Sequence, residues 1–154
     1  MLYGRGSRGG EQDRGGSGRM SDAMERKELL LVVDDEAGMR DTLIDILEEY
    51  EWRPQLACNG LEAVNMVETG DYALVLMDLR MPVMSGIEAL ARIAQMRPRL
   101  PVIMMSAYAD QEAMEAAERY GARALMRKPL DWSKLLPLIE QAVSEAGGAA
   151  SAAD

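Results

Sequence analysis

Three stretches of the chain are almost wholly apolar: ELLLVV (28–33), YALVLMDL (72–79) and PVIMMSA (101–107). Runs of this length, rich in branched residues and too short for helices, predict strands buried on both faces. PQLAC (54–58) and ARALMRK (122–128) are weaker strands. Between them the pattern changes to a helical period. AGMRDTLIDILEEYE (37–51) places Met39, Leu43, Leu47 and Tyr50 on one stripe. GLEAVNMVETG (60–70) predicts a helix closed by Gly70. SGIEALARIAQMR (85–97) predicts one stopped by Pro98. DQEAMEAAERYG (110–121) has Asp110 as N-cap and Gly121 as its stop. DWSKLLPLIEQAVSEAG (131–147) carries the stripe Trp132, Leu135, Leu136, Ile139 and Val143, with Pro137 in conflict inside it.

Five strands and five helices in strict alternation predict an α/β fold, a parallel sheet covered on both faces. Ligand sites in such sheets lie at the carboxyl ends of the strands, near the point where strand order reverses. The alternating region runs from 28 to 146. Residues 1–27 are rich in Gly, Arg and Ser and predict a disordered extension, with Met20 or Met24 as alternative starts; residues 147–154 read as a flexible tail. GRGSRG (4–9) matches a dinucleotide fingerprint by letter only, since it neither follows a strand nor opens a helix.

Composition narrows the chemistry. The net charge of -9 argues against nucleic acid or an anionic membrane as direct partner of the folded region. No apolar run approaches the roughly 18 residues of a membrane span, and no secretory signal opens the chain, so the cytoplasm is the default. The single cysteine, Cys58, excludes a disulfide framework and reads as a small buried strand residue. No histidine occurs, so Ser-His-Asp and HExxH chemistries are excluded and any phosphohistidine belongs to another molecule. The 13 methionines, Met77, Met104 and Met105 among them, read as core filling rather than a Met-rich binding face.

The polar residues that end the strands converge. The first strand ends in Asp34-Asp35, the third in Asp78, the fourth in Ser106 and the fifth in Lys128-Pro129. Two like charges about 4 Å apart repel by about 4 kcal/mol at an effective dielectric of about 20, so three neighbouring acids call for a cation. Hard oxygen ligands suit Mg²⁺. With a lysine and a hydroxyl these are the parts of a phosphoryl site whose nucleophile is a carboxylate.

VVDDE, MDLRMPVMSG, MMSAYAD and RKPLD follow one another with gaps of 43 residues from Asp35 to Asp78, 28 to Ser106 and 22 to Lys128. In these motifs residues 28–146 resemble the response-regulator receiver domains of bacterial two-component signalling. The resemblance implies a flavodoxin-like, doubly wound (βα)5 sandwich with strand order 2-1-3-4-5. It implies Asp78 as phospho-acceptor, Asp35 as direct Mg²⁺ ligand, Asp34 acting largely through water, and Arg80 lending its backbone carbonyl. Ser106 is then the switch hydroxyl, Lys128 pairs with phosphoryl oxygens, and the peptide before Pro129 is cis. The implied role is a switch rather than a turnover enzyme, one that assists its own phosphorylation and dephosphorylation. Its donor would be a sensor histidine kinase or a histidine phosphotransfer protein, and its output a downstream protein met through the fourth helix, fifth strand and fifth helix. A stand-alone regulator without direct DNA binding is expected. Pro82 is expected to stiffen the loop after Asp78, and Gly86 to let it turn tightly.

Leu125 departs from the pattern, standing where the family usually has Tyr or Phe. It keeps open a phosphorylation-independent interaction module. Tyr108 could substitute as a contact or simply cover the pocket mouth. A nucleotide hydrolase with ALVLMD as its Walker-B strand is excluded, because no phosphate-cradling G-x-x-x-x-G-K-[ST] occurs.

Overall fold

The computed structural model describes residues 28–107 and 111–153, with side chains described to residue 146. The chain forms β1 (Leu29–Val33), α1 (Ala37–Glu49), β2 (Arg53–Ala57), α2 (Gly60–Thr69), β3 (Leu74–Asp78), α3 (Gly86–Met96), β4 (Val102–Ser106), α4 (Gln111–Arg119), β5 (Ala124–Arg127) and α5 (Trp132–Ala153). All pairings are parallel and the sheet order is β2-β1-β3-β4-β5, as the resemblance implied. Strand order reverses at β1, with β3 on its other side, so the carboxyl ends of β1 and β3 flank the crevice.

Strand alternation sorts the core into two layers. Leu30, Val32, Leu74, Leu76, Ile103 and Met105 face α1 and α5, meeting Leu43, Leu47, Leu135 and Ile139. Leu31, Val33, Val75, Met77, Val102 and Met104 face α2, α3 and α4, meeting Val67, Leu90, Ile93 and Ala117. The central strands β3 and β4 are buried at every position. Met77, Met104 and Met105 are fully buried, so these methionines fill the core.

Local chemistry sets the helix ends. Asn59 Oδ1 accepts from the Glu62 amide and Glu62 Oε1 accepts from the Cys58 amide, a reciprocal pair that opens α2. Asp131 accepts from both the amide and the hydroxyl of Ser133. The Ser133 hydroxyl is the main reason the Asp131 carboxyl lies below its ordinary range. Gly121 (φ 87°) ends α4 in the left-handed conformation, with the Ala122 amide donating to the Ala117 carbonyl.

Several expectations are corrected. Tyr50 caps α1 and is 57% exposed, so it leaves the predicted stripe. Cys58 lies just past β2 and is exposed; β2 is an edge strand, and its outer residues have little to pack against. Gly70 does close α2 as expected, in an extended conformation; a Cβ there would lie 2.4 Å from the Tyr72 ring. Gly86 serves by close approach, not by turning. A Cβ on it would fall 2.2 Å from the Asp78 carbonyl oxygen. The left-handed residue of that loop is Val83 (φ 70°), where the Met84 amide donates to the Pro82 carbonyl. The last helix does not stop at 147: α5 continues to Ala153 through Pro137, consistent with the high helix propensity of its terminal alanines. The predicted N-terminal extension, GRGSRG, Tyr108 and the Asp110 N-cap lie outside the described residues.

Candidate functional site

Strand ends build the site. β1 delivers Asp34, fully buried, and the chain then surfaces at Asp35. β3 delivers Asp78 at its last position, 9% exposed, and β4 delivers Ser106, 1% exposed. Asp78 pairs in register with Met105, which places Ser106 one residue beyond it on the neighbouring strand. Just past β5, the Lys128 amide donates to the Ser106 carbonyl and the Lys128–Pro129 peptide is cis. Carboxylate oxygens of Asp34, Asp35 and Asp78 lie within 4.8 Å of one another.

Lys128 binds this group together. Its Nζ donates to Asp34 Oδ2 at 3.0 Å and to Asp78 Oδ2 at 2.9 Å. The other oxygens accept from backbone: Asp34 Oδ1 from the Glu36 amide at 2.9 Å, Asp78 Oδ1 from the Arg80 amide at 3.2 Å. Burial pushes the Asp34 carboxyl above its ordinary 3.8, against the pull of the Glu36 amide and Lys128. Burial also opposes the charge on Lys128, yet Asp78 and Asp34 outweigh it and hold the ammonium above 10.5. The lysine thus answers part of the repulsion that the sequence left to a metal.

Asp35 is exposed and contributes to the acidic trio without a hydrogen bond or ion pair to its carboxylate among the described residues. Three carboxylates of hard oxygen, one still open to solvent, fit a small divalent cation such as Mg²⁺. Bound there, the ion would supply positive charge for anionic oxygens. Arg40, on the first turn of α1, was not singled out in the sequence. Its Nη1 donates to the Asp34 carbonyl at 2.6 Å. Its partner is a backbone carbonyl, so no pattern of residue types in the sequence marked it. Leu125 is half-buried and packs against the layer facing α2, α3 and α4.

Comparison with known proteins agrees with this arrangement. The profile described as "Response regulator receiver domain" matches residues 30–140. The chain is 37% identical over 115 residues to transcriptional regulatory protein ZraR of Klebsiella oxytoca, covering 75% of this chain and 26% of that one. It is 38% identical over 117 residues to transcriptional regulatory protein PdtaR of Mycobacterium tuberculosis, covering 75% of this chain and 56% of that one. The chain therefore spans about a quarter to a half of the length of these two relatives. Sporulation initiation phosphotransferase F of Bacillus subtilis is 31% identical over 114 residues, 74% of this chain and 92% of that one. Among solved structures, a CheY-like response regulator receiver domain protein from Methanospirillum hungatei JF-1 superposes with a TM-score of 0.76 at 29% identity, covering 79% of this chain and 98% of the other. Sheet order, acidic crevice and matched span converge, and the chain belongs to the response regulator receiver domain family.

Proposed function

We propose that Asp78 accepts a phosphoryl group from a phosphohistidine of a sensor histidine kinase or histidine phosphotransfer protein, with Mg²⁺ held by Asp34, Asp35, Asp78 and the Arg80 carbonyl. The observation that carries this reading is the bridge from Lys128 Nζ to Asp34 and Asp78, 3.0 and 2.9 Å long, beside a third carboxylate at the strand ends. A carboxylate oxygen of Asp78 attacks phosphorus, a P–O bond forms as the P–N bond of the donor breaks, and the imidazole leaves with its electron pair. The product is an acyl phosphate. Lys128 faces its added negative charge, and the buried Ser106 hydroxyl is the neutral donor beside it. The relative named as a phosphotransferase, matched over 92% of its length, supports a phosphoryl role.

The added charge then biases a two-state surface. We assign that surface to α4, β5 and α5, as the resemblance to receiver domains implies; β5 carries Leu125 and leads to Lys128. No helix among the described residues is long and apolar enough to cross a membrane.

Intact mass after incubation with Mg²⁺ and acetyl phosphate, beside an Asp78→Asn variant, tests the reading. One phosphoryl group on the parent, absent from the variant and abolished by chelation, is the expected outcome. No gain on the parent would leave the phosphorylation-independent module, the reading that Leu125 keeps open.

A further inference from the structure

The acid pair faces a positional problem. Asp34 is held from several sides: its carboxylate by Lys128 and the Glu36 amide, its own amide by the Ala57 carbonyl at 3.2 Å. Asp35 has no comparable restraint. Its carboxylate is exposed and receives no hydrogen bond among the described residues. The direction of that side chain is therefore inherited from the backbone, above all from the peptide plane between Asp34 and Asp35.

One side chain grips that plane. Arg40 Nη1 donates to the Asp34 carbonyl at 2.6 Å, across six residues of sequence. Arg40 is itself anchored, because its amide donates to the Glu36 carbonyl at 3.1 Å and its Cα belongs to α1. No ion pair draws the guanidinium toward a carboxylate among the described residues, so its charge is directed at the carbonyl. A charged donor makes a hydrogen bond of this kind about twice as strong as a neutral one. The turn between β1 and α1 is thus closed twice, by the Asp34 carboxylate on the Glu36 amide and by a cation fixed to the helix on the Asp34 carbonyl, while Glu36 at the N-cap of α1 makes no side-chain cap of its own.

We propose that Arg40 is a positioning residue: by clamping the Asp34 carbonyl it holds the Asp34–Asp35 peptide so that the untethered Asp35 carboxylate points into the acidic crevice and completes the Mg²⁺ site. This rests on the proposed metal role of Asp34, Asp35 and Asp78. Residues that orient metal ligands without touching the metal typically change affinity by about 10- to 100-fold, and Arg40 belongs in that range.

Titration calorimetry with Mg²⁺ alone, without phosphodonor, tests the assignment on the parent, Arg40→Ala and Arg40→Lys. The expected result is a Kd at least about tenfold weaker in Arg40→Ala and partly restored in Arg40→Lys, which still carries a charged donor. Thermal unfolding without metal is followed in parallel. A lower melting temperature with an unchanged Mg²⁺ Kd would mean that Arg40 only stabilises the fold, and overturns the proposal. Should Arg40→Ala fail to fold, Arg40→Met keeps the apolar stem and removes the donor, and the same Kd criterion applies to it. A parent that binds no Mg²⁺ overturns both this assignment and the metal site beneath it, whereas a parent that binds and variants that match it overturn this assignment alone.

Discussion

Lys128 makes two hydrogen bonds to two carboxylates and is 12% exposed at its side chain, so its proton is tied to the folded state. Its folded pKa lies above the ordinary 10.5. Between those two values the unfolded chain loses the proton while the folded chain keeps it, so stability falls as pH rises through the folded value. Below 10.5 the contribution is fully present. Unfolding free energy measured from pH 8 to 12 is expected to fall more steeply for the parent than for Lys128→Met, and parallel profiles would contradict the pairing. At this scale the sequence was legible for Asp34, Asp35, Asp78, Ser106 and Lys128, because each follows an apolar run that had to be a strand. It was silent on Arg40, whose partner is a backbone carbonyl and leaves no trace in residue types. It misplaced Cys58, because the burial habit of free cysteine is overridden at a sheet edge.

Among elements, α1 and α4 close in the same way with different residues. At α4, Gly121 sits at φ 87° and the following amide reaches back five residues to Ala117. At α1, Glu51 sits at φ 72° and the Trp52 amide reaches back five residues to Leu47 at 2.9 Å. Left-handed backbone costs a residue with a Cβ about 1–2 kcal/mol, and glycine avoids that while losing more entropy on folding. Glu51→Gly is therefore expected to stabilise the domain by about 0.5–1 kcal/mol, read as a shift of the urea midpoint with unchanged slope. A destabilised variant would show that the Glu51 side chain contributes more than the strain costs. The helical period placed α1 correctly through Leu47 and failed at Tyr50, because the stripe is only as long as the helix that carries it. Gly86 was singled out with the wrong reason: it gives room beside the Asp78 carbonyl, a contact between a strand and the helix after it that no turn rule describes.

For the molecule as a whole, burying the acidic site costs stability that the proposed Mg²⁺ ion is expected to return. Burial raises the Asp34 carboxyl above its ordinary value, which means that the folded chain holds this charge less readily than the unfolded chain does. In Mg²⁺-free buffer at pH 7, Asp34→Asn is expected to melt above the parent, with Lys128 still paired to Asp78. On the proposed Mg²⁺ site, excess Mg²⁺ is expected to reverse the order, because the parent would gain binding free energy, about 2.7 kcal/mol at one hundred times Kd, and the variant would lack one carboxylate of the site. Calorimetric melting of both proteins with and without the ion checks this, and a variant that melts lower without metal would refute it. Such exchange of stability for function is common where charges are gathered in a crevice.

Element types, their alternation and the acids at the strand ends were all readable along the chain, since run length and the periods of 2 and 3.6 depend only on near neighbours in sequence. The parallel sheet followed from the alternation, whereas its order came from the resemblance of the motifs. Which acid is buried, and what neutralises it, belonged to the folded chain alone. Lys128 reaches Asp34 across 94 residues and Asp78 across 50. Those distances collapse only when strand order is permuted to β2-β1-β3-β4-β5. Burial follows from the same permutation: β1 and β3 are flanked on both sides, so the last side chains they carry are drawn out of water, while Asp35, one residue further along the chain, stays in it.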